Sequence, residues 1–161
     1  MHGTELLADG LKRSFDMLKM TLSDFSDADM LARPCSGANH PMWQLGHLLE
    51  AELYFMNDIA PGKIPPLPAS VAGKFTKETA TIDDPKAFPT KEELLSAFGK
   101  TREATVAWFK TLTPADLDKP TSMPKFAPSV GHVAIMMPIH DMMHMGQFQV
   151  ARRKLGKPVM F

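Results

Sequence analysis

The sequence predicts an all-α fold: a four-helix bundle with a long crossover loop between helices 2 and 3. Four segments repeat apolar residues at helical spacing. A proline-punctuated connection from Ala60 to Pro89 parts the second from the third, and no stretch alternates as a strand would. Amphipathic helices of roughly 28 to 40 Å bury their apolar stripes against one another as a bundle.

The first segment places Leu7, Leu11, Phe15, Leu18, Leu22 and Phe25 on one helix face, with Thr4 as the expected N-cap. A break follows at Arg33-Pro34-Cys35-Ser36-Gly37. The second helix opens at Pro41, because proline's fixed φ suits a first helical position, and is expected to reach about Ile59, before Pro61-Gly62. The connection carries Pro61, Pro65, Pro66, Pro68, Pro85 and Pro89 with no sustained period, so it reads as a long loop packed over the surface, of the kind that is usually functional or mobile. Thr90 with Glu93 is a capping-box signature. Leu95, Phe98, Thr105, Phe109 and Leu112 then recur at helical spacing to form the third helix. Ser129 is the expected cap of the fourth, which Gly156-Lys157-Pro158 stops. Pro138 lies inside that helix, removes a backbone hydrogen bond, and is expected to kink it or force a local rearrangement.

Composition narrows the function. The chain has 161 residues, about one domain, so residues 1–161 are read as a single domain. Eighteen basic side chains balance eighteen acidic ones, which leaves no field to concentrate nucleic acid. The lone cysteine, Cys35, cannot form an intrachain disulfide, no run is long enough to span a bilayer, and the charged N-terminus is unlike a signal peptide. A cytoplasmic protein without membrane or nucleic-acid partners is expected. Thirteen methionines and six histidines stand out.

In helix four, Val133, Met137, His140, His144, Gln147 and Ala151 share one face, so two imidazoles lie a turn apart on the expected inner seam. In helix two, Trp43, His47, Glu50 and Tyr54 form a second stripe, which brings a third imidazole. Any one of these could be a core histidine hydrogen-bonded to its neighbours. For the trio, a shared divalent metal offsets the desolvation of three rings, and three histidines with an open fourth position are a known catalytic ligand set. Zinc or nickel is the expected ion, with iron also suited to imidazole; methionine-bound copper is disfavoured because methionine more often fills cores. His2, His40 and His132 are weaker candidates. Arg102 could grip a carboxylated substrate or turn outward, and Asp141 is expected to face solvent or a neighbouring helix.

Three stretches resemble the DinB/YfiT-like metalloenzymes of bacteria: Trp43-Gln44-Leu45-Gly46-His47-Leu48, His140-Asp141-Met142-Met143-His144-Met145-Gly146-Gln147, and Arg152-Arg153-Lys154-Leu155-Gly156-Lys157-Pro158. The resemblance covers nearly the whole chain and puts the family's histidines on His47, His140 and His144. It implies up-down-down-up helix order, a divalent metal on those three residues, and a homodimer. Related branches transfer low-molecular-weight thiols such as bacillithiol, or use mycothiol in isomerising maleylpyruvate.

The expected function is therefore a metal-dependent transferase acting with a low-molecular-weight thiol on an electrophilic small molecule. A dication on three neutral ligands keeps its charge and lowers the pKa of an entering thiol or water. Glu50 could orient an imidazole, act as proton acceptor, sit as a rim carboxylate, or close the site as a fourth ligand. Gln147 could bond substrate or floor the pocket. The alternatives are a metal-dependent hydrolase and a non-catalytic dimeric metal- or ligand-binding protein. With net charge zero, attraction for an anionic thiol must come from the buried metal.

Overall fold

Residues 2–160 are described by a computed structural model whose chain forms α1 (Gly3–Thr21), a one-turn α2 (Asp27–Met30), α3 (Pro41–Ile59), α4 (Lys91–Phe109) and α5 (Val130–Lys154). Single 3-10 turns occur at Pro85–Ala87 and Pro114–Asp118. Among the described residues there is no strand, only an isolated bridge between Pro120 and Ser129.

Caps set the helix starts. α1 begins earlier than expected: His2, not Thr4, is its N-cap, because the extended His2 backbone N–H donates to the Glu5 carboxylate at 2.9 Å, and Thr4 is buried in the first turn. The helix also ends at Thr21, although Leu22 and Phe25 stay in the core as the chain turns back. At α3, His40 Nδ1 accepts the Trp43 N–H at 3.1 Å and Pro41 takes the first helical position. Thr90 and Glu93 exchange bonds of 3.2 and 2.9 Å at α4, as the capping box predicts. Ser129 sits at the cap position of α5 but makes no side-chain cap bond; its hydroxyl lies 2.9 Å from His132 Nδ1. α5 continues through Pro138 as one helical element.

The core divides into two apolar clusters, and their membership gives the topology. Phe15, Leu18, Leu45, Leu49, Leu94, Phe98, Phe148 and Ala151 belong to one; Ala8, Leu11, Phe55, Met56, Phe109, Val133 and Met137 belong to the other. The start of α1, the end of α3, the end of α4 and the start of α5 therefore share one end of the bundle. The helices run up, down, down and up. Each of α1 and α3 packs on both α4 and α5. Because α3 and α4 run parallel, their connection must return the length of the bundle.

That connection does more than lie over the surface. Ile64, Val71, Phe75 and Phe88 are buried, and the last three join the core cluster at one end of the bundle. Arg33 holds it through Asp83 at 2.8 Å and the Ala80 carbonyl at 3.0 Å. Among the described residues, no helix is long and apolar enough to cross a membrane.

Candidate metal centre

α3 and α5 bring His47, His140 and His144 together, with one ring nitrogen of each within 4.8 Å of the others. Ring centroids are 5.1 Å apart for His47 and His140, 5.4 Å for His47 and His144, and 4.8 Å for His140 and His144. The i, i+4 spacing sets the last pair, whose Nε2 atoms approach to 3.1 Å. Two nitrogens bound to one zinc at about 2.0–2.1 Å would stand roughly 2.9–3.4 Å apart between octahedral and tetrahedral angles. The three imidazoles could hold a metal.

Neighbouring residues orient the rings. Gln44 donates its amide N–H to the Asn39 carbonyl, so its oxygen faces His144 Nδ1 at 2.8 Å and must accept a hydrogen bond from the ring N–H. His144 Nε2 is left with its lone pair, the tautomer a metal ligand needs. His47 stacks on Trp43, centroids 5.1 Å apart and planes 10° off parallel. The indole Nε1–H donates to the Thr76 carbonyl and Thr79 hydroxyl, each at 3.1 Å, which ties the crossover loop to this end of α3. Gly46 is required there: a Cβ would lie 2.3 Å from the Phe75 ring.

Electrostatics keep the rings neutral. Desolvation lowers the pKa of all three, and for His144, 7% exposed, burial and then repulsion from His140 and His47 bring it to about 3. Neutral imidazole is the form that ligates. Among the described residues no carboxylate joins this donor group. The Glu50 carboxylate instead accepts the Gly73 N–H at 2.7 Å; burial pushes its pKa up, and the loop amides of Gly73, Lys74 and Phe75 oppose that shift.

Beside the histidines lies a buried ionic layer. Arg102, 3% exposed, donates to Glu52 at 2.7–2.8 Å, to Asp141 at 2.9 Å, to the Ser14 hydroxyl at 2.9 Å and to the Leu11 carbonyl. Ser14 also donates to Asp141 at 2.6 Å. Arg102 thus grips carboxylates of its own chain, and Asp141 faces neighbouring helices. Glu52 and Gln44 lie outside the stripe that the sequence marks on α3. Both interrupt apolar runs on α3, which is the signal that could have found them.

His40 is fully buried, capping α3 through Nδ1 and facing the Ile82 carbonyl at 3.0 Å, and His2 and His132 sit at helix starts. Tyr54 is 61% exposed, so the expected α3 stripe leaves the core at its far end. Gln147 is half-buried and Cys35 exposed. His140 also forms part of the wall of an apolar hollow with Phe55, Phe126, Met136, Ile139 and Met143.

No curated protein matches the sequence. Solved structures share the fold, two of them over nearly the whole chain. A conserved protein from Enterococcus faecalis is 16% identical with a TM-score of 0.67, over 98% of this chain and 99% of that one. YfiT from Bacillus subtilis, described as a probable metal-dependent hydrolase with an unusual four-helix bundle topology, is 14% identical with a TM-score of 0.68, over 98% and 91%. The sequence profile of the DinB superfamily matches residues 11–148 of this bundle, and the chain belongs to that superfamily.

Proposed function

We propose that the protein is a metal-dependent enzyme in which His47, His140 and His144 hold one divalent ion, zinc or nickel, and that it joins a low-molecular-weight thiol to an electrophilic small molecule. The observation that carries this reading is the convergence of three neutral ring nitrogens, two of them 3.1 Å apart. When bound, the ion would supply Lewis acidity that favours the deprotonated form of a thiol or water at an open position.

The chain's residues do the rest. Gln44 holds His144 in the ligating tautomer and Trp43 holds the plane of His47. The apolar hollow beside His140 suits an uncharged part of the electrophile. Glu50 lies one turn from His47 on α3, and burial raises its pKa, a direction that suits a proton acceptor. A second reading, metal-dependent hydrolysis, is favoured by the likeness to YfiT and uses the same residues with water as nucleophile. A homodimer is supported by the exposed apolar side chains Ile135, Ile139 and Met143 along α5.

Metal analysis of protein purified without chelator tests the reading. About one divalent ion per chain is expected. A content near zero that added zinc or nickel does not restore would remove the proposal. His144→Ala should abolish tight binding, and unchanged stoichiometry would show that this imidazole is not a ligand.

A further inference from the structure

We propose that Glu52 positions His140: the free Oε1 of its buried carboxylate takes the Nδ1–H of His140 and presents Nε2 to the metal, as Gln44 does for His144. The inference rests on the metal reading above and adds a residue to it.

Glu52 is 2% exposed. Its Oε2 is engaged by Arg102 at 2.7–2.8 Å, while Oε1 is buried with no hydrogen-bond partner among the described residues. A buried carboxylate oxygen left unpaired is costly, so a donor is required. Glu52 and His140 line one small cavity, too tight to admit a water molecule, so water cannot be that donor.

The other side chains around the cavity are eliminated in turn. Leu48, Phe55 and Met137 are apolar. Arg102 donates to Glu52 Oε2, Asp141, Ser14 and Leu11, and Asp141 itself accepts from Ser14 and Arg102. His140 remains. Its ring nitrogens make one close contact among the described residues, Nε2 at 3.1 Å from His144 Nε2; once both of those atoms ligate a metal, the single proton of a neutral His140 must sit on Nδ1. Metal-ligating histidines characteristically give their second ring N–H to a carboxylate or carbonyl, which fixes the tautomer and raises ligand basicity. Gln44 meets that need for His144, and Glu52 lines the same small cavity as His140.

The test compares zinc affinity, by competition with a chelator, in the wild type, Glu52→Gln and Asp141→Asn. Glutamine keeps the shape but can turn an N–H toward His140, favouring the Nε2–H tautomer that cannot ligate. Zinc binding should weaken about 10- to 100-fold in Glu52→Gln and by no more than about threefold in Asp141→Asn, which disturbs the same Arg102 layer without touching the ring. Nitrogen-15 NMR of the zinc-loaded wild type should show His140 as Nδ1–H, exchanging slowly like His144, and this readout stands even if the Gln variant fails to fold. An Nε2–H tautomer for His140, or equal losses in both variants, would overturn the proposal. A wild type that binds no zinc would instead overturn the metal reading, and this inference with it.

Discussion

Two polar regions lie side by side in the bundle, and adjacent residues of α5 serve one each: His140 belongs to the histidine seam and Asp141 to the ionic layer. In the ionic layer the one cation is answered from within, although Glu52 Oε1 has no partner among the described residues. Arg102 meets Glu52, Asp141, Ser14 and Leu11 while 3% exposed, so its charge is answered by the chain. The seam is not balanced this way. Its rings face one another, no carboxylate among the described residues joins their donor atoms, and burial depresses the pKa of each. A polar layer whose cation the chain itself answers supports the fold, whereas an open set of convergent donors is suited to bind something the chain does not supply.

Breaking the ionic layer should have the largest effect. Arg102→Met leaves Glu52 and Asp141 buried together without a counter-charge, and should cost about 3–5 kcal/mol in urea-induced unfolding. A loss below about 1 kcal/mol would mean that the layer is solvated like a surface pair, and the contrast would collapse.

The next effect falls on the seam's support. Gly46→Ala would set a methyl 2.3 Å from the buried Phe75 ring, so the crossover loop must shift. A destabilisation of about 1–3 kcal/mol is expected, with faster hydrogen exchange around Phe75 and Thr76. Unchanged exchange would show that the ring finds another seat without moving the loop.

The smallest effect separates the regions by pH. His144 folds with a pKa near 3 against an ordinary 6.5, so between those values the unfolded chain binds more protons than the folded one. Metal-free stability should be fully present above pH 6.5 and fall as the pH drops below it, by up to about 1.4 kcal/mol per unit from this residue. His47 and His140 shift in the same direction but are partly exposed and contribute less. His144→Ala should flatten the profile in urea titrations at pH 7.5 and 5.0. An equally steep profile in the variant would assign the dependence to other groups.

The sequence showed the seam better than the layer, and the reason is geometric. His140 and His144 are one turn apart on one helix, so spacing alone sets them side by side, and His47 needed only the antiparallel packing of α3 on α5. The ionic layer needs four helices at one level: Ser14, Glu52, Arg102 and Asp141 come from α1, α3, α4 and α5. Each sits a turn from buried apolar residues, as Glu52 does from Leu48 and Phe55, but spacing does not say which charges meet. The stripe read on α3 ran through Glu50 and Tyr54, whereas Glu52 points inward and Tyr54 is 61% exposed. In the crossover loop, Val71, Phe75 and Phe88 are buried through contacts with distant helices, which no local period could reveal. The capping box at Thr90 and Pro41 at the start of α3 were legible because both are local.

The most direct test of the central claim is a crystal structure of protein purified without chelator, with anomalous data collected at the absorption edges of zinc and nickel. One strong peak is expected among His47, His140 and His144, about 2.0–2.1 Å from a ring nitrogen of each. No peak at that centre, even after soaking in either metal, or a peak bound by other residues, would contradict it.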